Sequence, residues 1–226
     1  MVIVQEHPGL YTNWRPAPEH PELRSDTLDI WLLDLQALPC REAVLDADET
    51  RRLNAFKHPD ARRQFCTSHT ALRGILGKYL ALAPEEVAIQ IAEGGKPRMP
   101  IPPPLHFNLS HAGSRALLAI GQKHDVGIDI EALRPIPGME RIARRVFSSP
   151  EIEQLAECGW PAQLFFETWS RMEARQKCLG RGVFGDAVEE SRVQTRDFSL
   201  SEDCFAAVAW ESGWSPEAIN FYDASL

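Results

Sequence analysis

VGIDIE, residues 126–131, places Val126, Ile128 and Ile130 at every second position, with Asp129 and Glu131 between them. In a β-strand alternate side chains face the same way. The segment therefore reads as a strand with one buried face and another face carrying two carboxylates. Two acids held so close repel unless a cation lies between them. Oxygen-only ligands suit magnesium, which takes one or two carboxylates and fills its shell with water and substrate phosphate. Taken alone, the commoner reading of such alternation is a half-exposed strand with a polar outer face.

Just upstream, LHFNLSH (105–111) and RALLAIG (115–121) read as two strands joined by Ala112, Gly113 and Ser114. Ser110 and His111 are neighbours on the first, so they point to opposite faces and cannot form a nucleophile–base pair. No G-x-S-x-G elbow is present. A histidine beside a Gly-containing turn either caps that turn or donates to a phosphate. The Gly- and Pro-rich loop 93–104 contains GGKP (94–97), which is not a P-loop; its lysine is placed to hold an anion or the edge of a base.

Downstream, Ser149, Pro150 and Glu151 give a helix start, with a hydroxyl cap, an early proline and an acid in the first turn. A second helix is predicted from Ala162 to Leu179, stopped by Gly180 and Gly182. On it Glu173 and Lys177 lie four apart and share a face, while Phe166, Trp169 and Met172 line another. A solvent-facing ion pair is the plain reading of the first face. The tail from Ser191 adds two or three strands.

The first half has the same order of elements. TLDIWLLDL (27–35) reads as a strand, residues 45–57 as a charged helix, and the segment after Pro59 as a long helix with Phe65, Leu72, Ile75, Leu76 and Tyr79 on one face. Arg62 and Arg63 open that helix, where the dipole disfavours cations, which suggests a use for at least one. VAIQIAE (87–93) alternates like a strand, and residues 1–27 read as an irregular surface arm. LGK (76–78) and LGR (179–181) end the two aromatic-studded helices, a hint of internal duplication dividing the chain into an N-terminal lobe, 1–123, and a C-terminal lobe, 124–226.

The 226 residues bear a net charge of −8, which argues against general nucleic-acid binding. Five scattered cysteines without C-x-x-C spacing suggest reduced thiols in a cytoplasmic protein and no zinc site. The N-terminus lacks the pattern of a secretion signal, and no apolar run is long enough to span a bilayer.

In order, GKP, FNLSHAG, VGIDIE and W-S-R-M-E-A-x-x-K-x-x-G resemble the Sfp-type 4′-phosphopantetheinyl transferases over about Arg51 to Gly182. The resemblance implies an α+β (two-lobed α/β) fold with pseudo-twofold symmetry and a coenzyme A site in the cleft between lobes. It implies transfer of the phosphopantetheine arm of coenzyme A to a serine of an apo acyl or peptidyl carrier protein, releasing adenosine 3′,5′-bisphosphate. By motif, Asp129, Glu131 and Glu173 resemble a magnesium site, with Asp129, Glu173 and Lys177 the catalytic group and Glu173 the candidate base. Lys177, Ser110 and His111 resemble phosphate contacts, Lys96 and Pro97 the adenine side, Arg63 the arginine for the 3′-phosphate, and His58 a position often basic. One chain of this length is expected to hold a whole site as a monomer.

Met172 stands where the family usually has lysine. The alternative is therefore a coenzyme A- or carrier-binding protein with impaired catalysis; turnover would otherwise rest on Lys177 alone, or on Arg171 or Arg175 reaching in. A third reading is a metal-dependent nucleotide hydrolase. Because carriers are acidic near the modified serine, a basic or apolar docking surface is expected at Arg141, Arg144 and Arg145 or at Val183–Phe184.

Overall fold

In β2 (Thr27–Asp34) both sets of alternate side chains are buried. Leu28 and Ile30 face one apolar cluster, and Trp31 and Leu33 face another. A strand covered on both sides lies inside a layered fold. The computed structural model describes residues 12–22, 24–92, 94–100, 105–181 and 192–225. Val183–Phe184, the alternative docking loop, lies outside them.

The chain is a mixed α+β fold. One sheet runs in the order β1 (Arg15–Pro16), β10 (Ala218–Asp223), β2, β6 (Arg115–Gly121), β5 (His106–Ala112). A second runs β7 (Val126–Ala132), β9 (Cys204–Glu211), β8 (Val193–Ser201). The sheets face each other across Leu28, Ile30, Leu117 and Ala119 on one side and Ile128, Ile130, Ala206 and Val208 on the other. Helix α2 (Pro59–Leu80) covers the outer face of the first through Leu72, Ile75 and Leu76. Helix α5 (Ala162–Cys178) covers the second, with Ala174 and Cys178 against Ala207 and Ala209. The order is helix, sheet, sheet, helix, and the strands' two-residue period assigns each side chain to its layer.

Helix α1 (Ala47–Ala55) starts in a capping box between Asp46 and Glu49. The strand expected at 87–93 shrinks to β3 (Gln90–Ile91), which pairs with β4 (Pro97–Arg98). α3 (Met139–Val146) and α4 (Ser149–Glu157) precede α5, and α4 is capped by Ser148, one residue before the hydroxyl the sequence suggested. The expected irregular arm contributes β1, which pairs parallel with Tyr222–Asp223. The chain's last strand, β10, inserts beside β2, so the first sheet draws on both ends of the sequence.

The expectation of five reduced thiols is corrected at one pair: Cys40 is disulfide-bonded to Cys66 on α2. The two are 26 residues apart and meet only through the fold, with Cα atoms 5.2 Å apart. Phe65 lines the cavity side of α2 with Leu72, as expected, and also packs with Leu53 and Cys66.

Candidate active site

Gly127 sets how closely strand and helix approach. A Cβ there would lie 2.1 Å from Ala174 O and 2.4 Å from Cys178 N, so only glycine lets α5 settle onto β7. Two residues on, Asp129 is buried at 2 % exposure beneath that helix. Glu173 and Lys177, one turn apart on α5, are thereby brought over it.

Lys177 Nζ donates to Asp129 Oδ1 at 2.5 Å and to Ser110 Oγ at 3.0 Å, and lies 3.2 Å from Glu173 Oε2. One ammonium thus bridges two carboxylates from distant parts of the sequence. Ser110 Oγ donates to Asp129 Oδ1 at 2.9 Å, and Trp169 Nε1 donates to Glu173 Oε1 at 2.9 Å. Glu131, the third acid, pairs with Arg134. Burial pushes the Asp129 carboxyl up to about 7; Lys177 opposes the shift, and the negative charges of Glu173 and Glu131 add to it. The same two partners, Asp129 and Glu173, hold Lys177 above its ordinary value in spite of its burial.

β5 and β7 are edge strands of the two sheets, and side chains join them. Asn108 Oδ1 accepts from Ile128 N at 2.8 Å, and Ser110 reaches Asp129 two residues further along the same face. As the alternation predicts, His111 turns the other way, into a cavity of roughly 710 Å³ between α2, the β3–β4 hairpin and β5. Partial burial lowers the His111 imidazole, and the positive charges of Lys177 and His69 lower it further. His111 therefore stands electrostatically between the acid cluster and the cavity.

His69, across that cavity, was not singled out by sequence. It stacks on Phe65 at 4.0 Å between ring centroids, and its Nδ1 lies 2.7 Å from Glu49 Oε1. Glu49 also accepts from Arg73, 1 % exposed, at 2.6 Å. Burial alone would raise Glu49, but the bonds from His69, the Asp46 backbone and Arg73 outweigh it and hold the carboxyl below its usual value. The available signals were the Asp46–Glu49 capping box and the four-residue step from Phe65 to His69 on one helix.

The other anticipated residues divide. Pro97 lines the cavity with Gly95. Lys96 is buried and donates to Cys178 O. Arg63 donates to Gln36 O at 3.3 Å, and its neighbour Gln64 is the one that lines the cavity. His58 is exposed at the N-cap of α2 and makes no side-chain cap bond. Met172 is 8 % exposed among Phe147, Phe165 and Phe166. Arg171 pairs with Asp197, and Arg175 lies 3.6 Å from Glu151. Arg144 pairs with Glu140 and lies over the Trp160 ring.

Among the described residues no group of three or more His, Cys, Asp or Glu side chains is arranged to hold a metal ion. One atom nevertheless suits one: Asp129 Oδ2 is buried and has no hydrogen-bond partner. A buried carboxylate oxygen left open, beside a second carboxylate and a bridging ammonium, is the chemistry of a hard-cation ligand.

The model of the 4′-phosphopantetheinyl transferase superfamily matches residues 125–218. The chain is 34 % identical to the 4′-phosphopantetheinyl transferase HetI of Nostoc sp., over 94 % of this chain and 100 % of the relative. It is 33 % identical to the 4′-phosphopantetheinyl transferase Sfp of Bacillus subtilis, over 62 % of this chain and 67 % of that one. Another Bacillus subtilis 4′-phosphopantetheinyl transferase is 29 % identical over 80 % of this chain and 78 % of its own length.

Proposed function

The chain belongs to the 4′-phosphopantetheinyl transferase superfamily, and from that premise we propose that it moves the phosphopantetheine arm of coenzyme A onto a serine of an apo acyl or peptidyl carrier protein. The observation that carries the reading is the Lys177 ammonium bridging Asp129 and Glu173 beside a cavity of nucleotide size. In this reading the nucleotide end of coenzyme A lies in the cavity, with Pro97 and His111 on its walls. The diphosphate crosses past His111 to Lys177. Arg63 would reach the 3′-phosphate only by turning from Gln36 O, His58 is exposed at the N-cap of α2, and His69 already faces the cavity.

Phosphoryl transfer asks mainly for positioning and charge neutralisation. The carrier's serine Oγ forms a bond to the β-phosphorus as the bridging P–O bond breaks. Adenosine 3′,5′-bisphosphate leaves with that oxygen. Glu173, oriented by Trp169, takes the serine proton. Lys177 offsets the charge that grows on the leaving phosphate. Asp129, Glu131 and Glu173 would hold a magnesium ion, which supplies charge neutralisation across the diphosphate when bound. Glu131 Oε2 is held by Arg134, so a cation at that oxygen would compete with the guanidinium.

The division into lobes 1–123 and 124–226 is supported by β2, β6 and α2, which have the same plan as β7, β9 and α5, while β10 crosses from the second lobe into the first sheet. The buried place of Met172 supports turnover over a binding-only role, because that side chain serves packing rather than phosphate contact. Incubation with magnesium, coenzyme A and a panel of apo carriers, read by intact mass, tests the proposal. One carrier should gain a single phosphopantetheine. Coenzyme A binding with no gain on any carrier would favour the binding-only reading, and bisphosphate release without carrier would favour a hydrolase.

A further inference from the structure

The 94–98 loop meets the site in two ways. Gly95 and Pro97 line the cavity. Lys96, between them, turns the opposite way and is 6 % exposed. Its Nζ donates to Cys178 O at 2.6 Å and lies 3.4 Å from Asp125 Oδ1. Cys178 is the last residue of α5 and follows Lys177 directly. The final carbonyls of a helix lack intrahelical donors and carry partial negative charge, so a buried ammonium there satisfies both needs.

Backbone shape supports the same contact. A Cβ on Gly94 would lie 2.6 Å from Gly180 O, so the loop presses directly on the turn that ends α5. Asp125, one residue before β7, gathers the remaining groups: Arg98 at 2.7 Å, His106 at 2.7 Å, and Cys178 Sγ donating to its carbonyl at 3.2 Å. The cavity loop, the foot of β7 and the end of α5 meet in one polar cluster around Asp125, with Lys96 as its buried member.

We propose that Lys96 is a positioning residue rather than a nucleotide contact. It fixes the last turn of α5, and with it Lys177 and Glu173, against the loop that lines the cavity, so that filling the cavity and aligning the acid cluster are coupled. The role in turnover rests on the transferase reading above; the structural link does not. It is tested with Lys96→Met, which keeps the apolar stem and removes the charge. Turnover should fall about tenfold or more, while the dissociation constant for adenosine 3′,5′-bisphosphate, measured by calorimetry, stays within about threefold. Amide hydrogen exchange should quicken about tenfold or more at Leu179–Arg181 and not in β5 or β6.

A bisphosphate affinity weakened about tenfold or more with turnover unchanged would make Lys96 a nucleotide contact and overturn the proposal. Should Lys96→Met not fold, Gly94→Ala presses on the same junction from the loop side. The same turnover loss with unchanged bisphosphate affinity supports the proposal, and wild-type values overturn it. If the wild type modifies no carrier, the transferase reading fails, and hydrogen exchange with bisphosphate binding still decides whether Lys96 holds the helix end.

Discussion

Replacing Gly127 by alanine should separate the two halves of the site without changing any charged residue. The added Cβ would stand 2.1 Å from Ala174 O, 2.4 Å from Cys178 N and 2.9 Å from Cys178 Cα, all of them backbone atoms that no rotamer change can move. Ordinary contacts of this kind are about 3.5 Å, so α5 must retreat by more than about 1 Å or β7 must twist away. Overpacking of this sort costs about 1–3 kcal/mol, which in a chain of this size lowers the melting temperature by roughly 2–12 °C. The larger effect falls on activity. Lys177 and Glu173 ride on the displaced helix, Asp129 stays with the strand, and a misplacement of about 1 Å costs on the order of a hundredfold in rate. Thermal unfolding and carrier modification, followed on the same preparation, read both effects. A variant that melts within about a degree of wild type and keeps its rate within about twofold would show that the glycine does not set the helix–strand distance.

Three further outcomes follow from named side chains. Met172→Lys, which restores the residue usual in the family, should lower stability by about 3 kcal/mol and leave turnover no higher, because it buries a cation among Phe147, Phe165 and Phe166; an unchanged melting temperature with faster turnover would show that the side chain reaches the phosphates. Reducing the Cys40–Cys66 disulfide should lower stability by about 3.5 kcal/mol, the loop-closure estimate for its 26-residue separation, and a melting curve insensitive to reductant would refute the pairing. Asp129, pushed up to about 7, keeps its proton in the folded chain below that pH. A divalent cation must displace that proton, so magnesium affinity should fall by up to about tenfold per unit below pH 7 and level off above it; calorimetry showing a flat affinity between about pH 6 and 8 would remove Asp129 from the ligand set.

The strands were legible because their two-residue period survives into the layers. The VGIDIE alternation separates the core residues Val126, Ile128 and Ile130 from Asp129 as the structure does. The opposed directions of Ser110 and His111 followed from the same rule. The Glu173–Lys177 face was visible as a four-residue step, but its burial against Asp129 depends on Gly127, whose lack of a side chain leaves no pattern to read. The bond from Lys96 to the end of α5 was not legible, because its partner is a backbone carbonyl 82 residues away. Arg63 and Gln64 are adjacent, and only the rotation of α2 decides which of them faces the cavity. The Cys40–Cys66 pair and the return of β10 to the first sheet were hidden for the same reason: contacts between distant segments leave no local periodicity.

One assay bears on the proposed reaction as a whole: the molar ratio of adenosine 3′,5′-bisphosphate released to carrier modified, followed over time with magnesium and coenzyme A. A transferase gives one bisphosphate for each phosphopantetheine gained by the carrier's serine, and none when carrier is left out. Bisphosphate appearing without carrier, or carriers left unmodified while coenzyme A is bound, would contradict the reading of Lys177, Asp129 and Glu173 as the site of transfer.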